Sequence, residues 1–189
     1  IGEENQREII KRKIAEILDG LGFLEVSNYH LTNKEMQFGK MSMPEKDFVH
    51  LEESKTDYNI LRKDLSHYLL KIFSENSDSE YPQKVFEIGK IFEQKNTISE
   101  KENFALAISP GNFTDVKQAI DYLGKMIDSD LEIKEAENHP AHFIDGRIGK
   151  IILDGKEIGL IGEIHPKILR NWKIKMPVAL LELNLDFLL

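Results

Sequence analysis

Near the start of the chain, apolar residues recur at helical spacing and predict an amphipathic helix at residues 3–21. The apolar stripe of this helix consists of Ile9, Ile10, Ile14, Ile17, Leu18 and Leu21. Gly20 and Gly22 supply a stop signal at its C-terminal end. The following residues, 23–31, are rich in strand-forming side chains and alternate in part, so the pattern predicts a strand that follows the helix directly.

Similar patterns predict further helices and a set of strands. Apolar residues at helical spacing predict helices at residues 61–73 and 114–127, and shorter helical turns are predicted within residues 32–40 and after His165-Pro166. Strands are predicted at residues 48–51, 84–94, 104–109, 147–153, 156–162 and 177–184. Asp154-Gly155, between two of these strands, is a strong hairpin signal.

The order of these elements predicts a single α+β domain over residues 1–189, with no internal repeat and no low-complexity linker. Strands that follow one another directly, as in hairpins, are more numerous in this order than strands that are separated by a helix. Because parallel neighbours need a crossover connection, most of the sheet is expected to be antiparallel. The predicted fold is therefore an antiparallel sheet flanked by helices.

The charge balance argues against a protein that binds nucleic acid by itself. The chain has 25 Lys and Arg residues against 33 Asp and Glu residues, which gives a net charge of −8, and only five residues are arginine. Domains that bind RNA or DNA alone are usually basic, because contacts to phosphate supply most of the affinity. We therefore expect this chain to meet nucleic acid only through a partner.

Other features of composition indicate the setting of the protein. The absence of cysteine excludes disulfides, thiolate metal sites and cysteine nucleophiles, and it fits a cytoplasmic protein. No apolar run is long enough to span a membrane. The chain begins at Ile1 without a methionine, so we expect it to be part of a longer polypeptide.

The chain lacks the commonest nucleotide-binding and hydrolase motifs, and its histidines leave two alternatives open. A metal site could form from His139, His142 and His165 with Asp145 or Glu163, because imidazole and carboxylate groups bind zinc. Alternatively, the two His-Pro pairs, at 139–140 and 165–166, are turn elements. We favour the second interpretation because no spacing matches a known ligand pattern.

Two segments resemble sequence motifs of the class II aminoacyl-tRNA synthetases. Residues 21–26 (LGFLEV) resemble motif 1, in which a helix ends and a strand begins. Residues 85–92 (VFEIGKIF) resemble the strand that leads into motif 2. The two partial motifs occur in the order that the family has, which favours the fold of this class.

The departures from the family pattern concern the residues that bind ATP. The motif 1 proline of catalytic members corresponds to Tyr29. The motif 2 pattern Phe-Arg-x-Glu corresponds to residues 92–95 (FEQK). Glu93 therefore replaces the arginine that holds the α-phosphate, and Lys95 replaces the glutamate. Two unit charges about 4 Å apart interact by roughly 4 kcal/mol at an effective dielectric of about 20, so the exchange predicts repulsion of a triphosphate. Motif 3 would fall at residues 182–187 (ELNLDF), where glycine and arginine are both missing.

This combination resembles one group within the class, the β subunits of phenylalanyl-tRNA synthetase, whose C-terminal part contains a catalytic-like module without catalytic residues. The resemblance extends over nearly the whole chain and is closest to the archaeal and eukaryotic type. It is carried further by residues 58–62 (YNILR), 143–147 (FIDGR), 153–166 (LDGKEIGLIGEIHP) and 177–183 (PVALLEL).

The resemblance implies an inactive module of a longer β subunit that pairs with a catalytic α subunit in an α₂β₂ assembly. The α subunit would supply the site for ATP and Mg²⁺, for phenylalanine and for the acceptor end of the tRNA, and this chain would hold no cofactor. Two rival hypotheses stay open. The chain could be an active adenylate-forming class II ligase, or a regulatory relative that binds an amino acid without activating it.

Because motif 1 elements of this class form subunit interfaces, the resemblance predicts that part of the first helix and of the following strand contacts the α subunit. The predicted interface residues are Ile10, Ile14, Ile17, Leu18, Leu21, Phe23, Val26 and Tyr29. The alternative is that the apolar stripe of the helix packs only on the chain's own sheet, since every amphipathic helix must bury one face.

Overall fold

The computed structural model describes residues 2–188, in which a seven-stranded sheet carries helices on both faces. The α-helices are α1 (Gln6–Gly20), α2 (Ser66–Glu75), α3 (Phe113–Met126) and α4 (Pro166–Asn171), with a π-helical turn at Glu35–Gly39 and a 3₁₀ turn at Leu185–Phe187. The strands are β1 (Leu24–Glu25), β2 (Leu31–Thr32), β3 (Ile60–Leu61), β4 (Gln83–Gln94), β5 (Ile98–Ser109), β6 (Glu132–Glu135), β7 (Phe143–Leu153), β8 (Lys156–Ile164) and β9 (Ala179–Asn184).

The sheet is largely antiparallel, as the sequence predicts. Its strand order is β1-β4-β5-β9-β8-β7-β6, and within the described residues β1 and β4 form its parallel pair. The long strands β4 and β5 form a hairpin, and β5 also pairs with β9 near the middle of the sheet. The short strand β1 lies at one edge, so only one of its sides is paired within the sheet. Strands β2 and β3 form a separate two-stranded pair.

Two hydrophobic cores lie on opposite faces of the sheet. Alternation along β5 divides its side chains between them: Phe104 and Leu106 pack with α1 and α3, whereas Ala105 and Ala107 belong to the core under α2 and α4. The second core includes Trp172, which is almost fully buried. The α1 and α3 layer and the α2 and α4 layer therefore enclose the sheet from both sides.

The cap and turn residues explain why several elements form where the sequence places them. Asn5 caps α1 by accepting a hydrogen bond from the Arg7 amide at 3.0 Å. Asn112 and Asp115 form a capping box at the start of α3. The predicted β7–β8 hairpin is confirmed, and both of its turn residues have positive φ, 50° at Asp154 and 75° at Gly155.

Three predicted elements differ from the structure. The strand expected at residues 48–51 is reduced to an isolated bridge between His50 and Ile60. The strand expected at residues 23–31 is reduced to β1 and the start of β2, because the Asn28 amide donates to the Glu87 carboxylate instead of to a neighbouring strand. The helix expected from residue 61 begins only at Ser66, because Leu61 pairs with Leu31 in the small β2–β3 pair. In addition, β6 was not predicted, and it forms the far edge of the sheet.

Candidate functional site

A pocket of about 330 Å³ opens on the face of the sheet that α2 covers, at the position where β5, β8 and β9 lie side by side. We call it the sheet-face pocket. Its polar lining includes Asp64, Asn103, His142 and Glu182, and its apolar lining includes Met43, Ile91, Phe143 and Leu160. A mostly apolar pocket with a few converging polar groups is the usual form of a small-molecule site.

Glu182 is the central carboxylate of this pocket, and it caps the N-terminus of α2 from the sheet. Its Oε2 atom accepts hydrogen bonds from the Ser66 amide at 2.9 Å and the Ser66 hydroxyl at 2.6 Å, and the Leu65 amide lies 3.0 Å from both carboxylate oxygens. Its Oε1 atom also accepts from Asn103 Nδ2 at 2.7 Å. The first amide groups of a helix need such acceptors, so Glu182 joins β9 to α2.

Asp64 lies directly before α2 and is hydrogen-bonded on both oxygens. Its Oδ1 atom accepts from the His67 amide at 3.2 Å and lies 2.8 Å from His67 Nδ1, while Oδ2 accepts from Gln37 Nε2. Burial alone would raise the pKa of Asp64, but its interactions with His67 and the nearby His142 together lower that pKa. Asp64 is therefore ionised at neutral pH.

Two further titratable groups of the pocket, Glu182 and His142, are shifted toward their neutral forms. Burial, followed by the neighbouring Asp64 charge, raises the pKa of Glu182 to about 7, although its hydrogen bonds oppose the shift. Burial lowers the pKa of His142 to about 4, so its imidazole is neutral at pH 7. Besides the two lysines of its lining, Lys63 and Lys101, the pocket thus holds one ionised carboxylate, one carboxyl that titrates near neutrality and one neutral imidazole.

Two polar atoms of this pocket have no hydrogen-bond partner among the described residues. They are Asn103 Oδ1 and His142 Nδ1, and both side chains belong to residues that are only 8% exposed. The Asn103 amide nitrogen is already used by Glu182, which leaves its oxygen as an acceptor. Buried polar atoms without partners are uncommon in folded proteins, so each one calls for an explanation.

The residues that correspond to motif 2 lie at the end of β4 and in the hairpin after it. Glu93 is flanked by two lysines, with Lys95 Nζ and Lys101 Nζ each 3.3 Å from a carboxylate oxygen. Burial would raise the pKa of Glu93, but Lys101 and Lys95 lower it overall, so Glu93 stays ionised. The predicted repulsion of a triphosphate is therefore weaker than Glu93 alone would give, because two ammonium groups offset its charge.

The arginines are engaged in other contacts. Arg62 pairs with Glu87 in the interior, and three others form ion pairs nearer the surface, Arg7 with Asp186, Arg12 with Glu4 and Arg147 with Glu163. The fifth, Arg170, lies in the last turn of α4. None of the five lines the sheet-face pocket. The side chains described there thus provide no guanidinium group for a phosphate.

A second feature is an apolar surface beside the edge strand β1. Two hollows of about 510 and 470 Å³ open there, the first lined in part by Ile72 of α2 and the second by Lys71. Leu24 is 66% exposed and Tyr29 is 82% exposed, which is unusual for residues of this size. We call five of the apolar residues that line these hollows the edge surface: Leu24, Val26, Tyr29, Leu31 and Tyr58.

The edge surface rests on a buried ion pair. Arg62 Nη1 lies 2.6 Å from Glu87 Oε1, and both side chains are 2% exposed. Asn28, in the middle of the edge segment, donates to the same carboxylate from its amide at 3.1 Å and from Nδ2 at 2.7 Å. The Asn28 carbonyl in turn accepts from Arg62 Nη1 at 3.3 Å. The conformation of residues 26–30 is therefore fixed from beneath.

The predicted interface residues fall into two groups. Ile14, Leu18 and Phe23 are at most 4% exposed and pack in the chain's own core with α3, which is the alternative given for the helical stripe. A partner could reach them only if this packing opened. The remaining residues are partly buried or exposed: Ile10, Ile17, Leu21, Val26 and Tyr29. The interface prediction is thus carried by the segment after α1 more than by α1 itself.

His139 and His165 take local structural roles. His165 caps α4 by accepting from the Lys167 amide at 3.1 Å, and His139 Nε2 lies 3.4 Å from Asp145. Within residues 2–188, no three His, Cys, Asp or Glu side chains come together in a way that could hold a metal ion. No helix in the described part of the chain is long and apolar enough to cross a membrane.

Sequence reasoning did not identify Asp64 and Glu182 as a pair. A signal for each was present: Asp64 precedes an apolar helical pattern as a capping residue does, and Glu182 interrupts an otherwise apolar strand. The two residues come close because α2 packs over β9. They are far apart in the sequence, so the sequence alone does not predict this contact.

Comparisons with known proteins agree with the resemblance in the sequence. A family model described as "Phenylalanyl tRNA synthetase beta chain CLM domain" matches residues 1–185. The phenylalanine–tRNA ligase beta subunit of Pyrococcus abyssi is 40% identical over 179 residues, an alignment that covers 91% of this chain and 32% of the relative. That of Methanocaldococcus jannaschii is 35% identical and is covered over 35% of its length. The chain thus spans about a third of the length of these relatives.

Solved structures confirm the fold. The pyrrolysyl-tRNA synthetase of Desulfitobacterium hafniense superposes with a TM-score of 0.80 at 16% sequence identity, over 97% of this chain and 68% of that chain. At this level of identity the likeness concerns the fold alone. The predicted α+β fold, an antiparallel sheet of the class II synthetase type flanked by helices, is confirmed.

Proposed function

Because this chain belongs to the family of phenylalanyl-tRNA synthetase beta chain CLM domains, we propose that it is a non-catalytic module of a phenylalanine–tRNA ligase that pairs with a catalytic α subunit. The curated relatives are about three times as long, and the proposal takes this chain as the catalytic-like part of such a β subunit. In this proposal the complete enzyme is an α₂β₂ assembly in the cytoplasm.

The side chains of the sheet-face pocket support a non-catalytic role. Binding of ATP requires positive groups around the phosphates, commonly arginine, which grips phosphate oxygens in a bidentate manner. The corresponding region offers Glu93 in place of the motif 2 arginine. The pocket itself contains Asp64 and Glu182, and of the two lysines that line it, Lys101 is paired with Glu93 and Lys63 donates to the Lys46 carbonyl. ATP and Mg²⁺ are therefore assigned to the α subunit, together with phenylalanine and the tRNA acceptor end.

The observation that carries the pairing with an α subunit is the exposed edge surface. An edge strand presents unpaired backbone groups, and natural proteins usually cover or charge such edges. Here the edge strand β1 is followed by Tyr29, which is 82% exposed, in the segment that resembles motif 1. Burial of Leu24 and Tyr29 against a partner would remove a substantial apolar area from water.

The experiment is co-purification of the chain with an α subunit of the archaeal type, combined with an assay of pyrophosphate exchange into ATP. We expect a stable complex, phenylalanine-dependent exchange by samples that contain the α subunit, and no exchange by this chain alone. Robust phenylalanine-dependent exchange by the chain alone would support the rival of an active ligase. Failure of any α subunit to associate would refute the partner assignment.

Calorimetry with amino acids addresses the second rival, a regulatory module that binds an amino acid. The proposed function predicts no specific heat of binding with phenylalanine or with the other amino acids. The net charge of −8 also predicts no binding of tRNA to the chain alone at physiological salt. A shift of labelled tRNA by this chain without the α subunit would contradict that part of the proposal.

A further inference from the structure

The segment that contains α4 is basic, although the chain as a whole is acidic. Residues 164–181 include four Lys and Arg residues and no Asp or Glu, whereas the whole chain has 33 acidic residues against 25 basic ones. All four residues are exposed: Lys167, Arg170, Lys173 and Lys175. This local excess of positive charge opposes the net charge of −8, so it calls for a local explanation.

The fold adds a fifth cation from a distant part of the chain. The Lys40 carbonyl accepts a hydrogen bond from Asn171 Nδ2 at 2.9 Å, and Lys40 Nζ lies 4.4 Å from the centroid of the Trp172 ring. Within residues 2–188, none of the five cations forms an ion pair, whereas Arg62, Arg147 and others do. We call these five residues the basic surface: Lys40, Lys167, Arg170, Lys173 and Lys175.

The backbone beneath the basic surface is held in place by buried side chains and by a tight turn. Trp172 and Ile174 are buried. At the end of α4 the Ile174 amide donates to the Leu169 carbonyl at 2.9 Å, and the Lys173 amide donates to the Arg170 carbonyl at 3.0 Å, as in a Schellman turn. Lys173 has a φ of 58° at the position where such turns favour glycine. Because a side chain there costs conformational free energy, its presence favours a role for the ammonium group.

The chemistry of the basic surface suits a polyanion. Each contact between a cation and a phosphate of a nucleic acid releases a condensed counterion, and arginine can grip phosphate oxygens in a bidentate manner. A cation near the C-terminus of a helix also stabilises the helix dipole, but this effect is confined to the last turn. It therefore accounts for Arg170 but not for Lys40 or Lys175.

We infer that the basic surface contacts the phosphate backbone of the tRNA in the assembled enzyme. This inference rests on the proposed function, in which the complete enzyme binds a tRNA. The net charge of −8 opposes binding of tRNA by this chain alone, so the basic surface adds to contacts that the rest of the assembly makes.

The test compares two fourfold variants of this chain in complex with the α subunit. The surface variant carries Lys167→Gln, Arg170→Gln, Lys173→Gln and Lys175→Gln. The matched control loses the same charge from four exposed lysines elsewhere that form no ion pair among the described residues: Lys13→Gln, Lys55→Gln, Lys125→Gln and Lys156→Gln. Affinity for labelled phenylalanine tRNA is measured by fluorescence anisotropy between about 50 and 200 mM salt.

We expect the surface variant to bind tRNA at least about tenfold more weakly at the lowest salt, and its dependence of log affinity on log salt to be shallower by about 2–4. The control should stay within about twofold of the unchanged complex. Equal losses in the two variants would overturn the inference, as would an unchanged salt dependence of the surface variant. The double variant Lys167→Gln with Lys175→Gln leaves the turn at the end of α4 intact, and it should show about half of the change in slope even if the fourfold variant fails to fold.

Two further measurements on the same complexes separate this inference from the proposed function. Affinity for the α subunit and phenylalanine-dependent pyrophosphate exchange need no tRNA. If the surface variant alone loses affinity for the α subunit, the basic surface belongs to a protein interface and the inference is wrong. If the unchanged chain does not associate with the α subunit, the proposed function fails and the inference fails with it.

Discussion

In the sheet-face pocket, two carboxylates accept several hydrogen bonds each, whereas at the edge surface large apolar side chains face solvent. Glu182 accepts from the first residues of α2, but Tyr29 is 82% exposed. In a catalytic domain the reverse is expected, with phosphate-binding groups accessible on the sheet and apolar groups buried. The contrast indicates a domain whose sheet face stabilises its own fold and whose edge is suited to a partner.

The buried pair beneath the edge surface gives the largest expected effect on stability. Arg62→Ala leaves the Glu87 carboxylate buried without its charge partner, which should lower the free energy of unfolding by about 3–5 kcal/mol in urea denaturation. If the edge conformation depends on this pair, binding to the α subunit should fall as well.

Two control variants show whether burial is the cause. Arg147→Ala disrupts an ion pair whose arginine is 62% exposed, and it should cost far less stability than Arg62→Ala. The double change of Arg62→Met with Glu87→Leu should recover most of the loss, because no unpaired charge remains. Equal losses for Arg62→Ala and Arg147→Ala would mean that residues 26–30 are held by other contacts.

The sheet-face pocket should reveal itself through the pH dependence of stability. The raised pKa of Glu182, about 7 against an ordinary value of 4.5, means that the folded state holds this proton more tightly than the unfolded state. The resulting stabilisation is complete below about pH 4.5 and is lost as the pH rises through 7, and it amounts to at most about 3 kcal/mol.

The variant Glu182→Gln lacks this titration. The free energy of unfolding of the unchanged chain, relative to that of Glu182→Gln, should therefore decrease between about pH 4.5 and 7. The charge of Asp64 helps to raise the pKa of Glu182, so the transition depends on both carboxyl groups. A difference that stays constant with pH would show that the Glu182 carboxyl does not carry a raised pKa.

A smaller effect is expected from restoring the motif 2 arginine. Glu93→Arg should cost about 1–2 kcal/mol of stability, because it replaces partly exposed ion pairs with Lys95 and Lys101 by repulsion between like charges. It should produce no pyrophosphate exchange, because Asp64 and Glu182 still line the pocket. Measurable exchange by this variant would mean that a single substitution separates the domain from catalysis.

Much of the fold follows from local pattern, because α1, α3 and the β7–β8 hairpin are specified by their own apolar periodicity, caps and turn residues. The errors lie where side chains distant in sequence take over backbone pairing. The Asn28 amide donates to the Glu87 carboxylate instead of pairing within the predicted strand. Glu87 is far along the chain, and no local signal encodes that contact.

The candidate site shows the same difference between features that local sequence predicts and features that depend on distant contacts. The loss of the motif 2 arginine could be predicted from residues 92–95, whereas the pairing of Glu93 with Lys101 required the β4–β5 register. The apolar stripe of α1 was evident from the sequence, but periodicity alone could not distinguish an internal partner from an external one, and Ile14 and Leu18 pack internally.

The most direct test of the account is the affinity of the α subunit for two matched double variants. Leu24→Glu with Tyr29→Glu places charge on the edge surface, and Met126→Glu with Tyr122→Glu places the same charge on exposed residues of α3. We expect the edge variant to bind the α subunit at least about 100-fold more weakly, with its unfolding free energy changed by no more than about 0.5 kcal/mol. The α3 variant should bind normally. Equal affinities of the two variants would contradict the assignment of the edge surface to the α subunit.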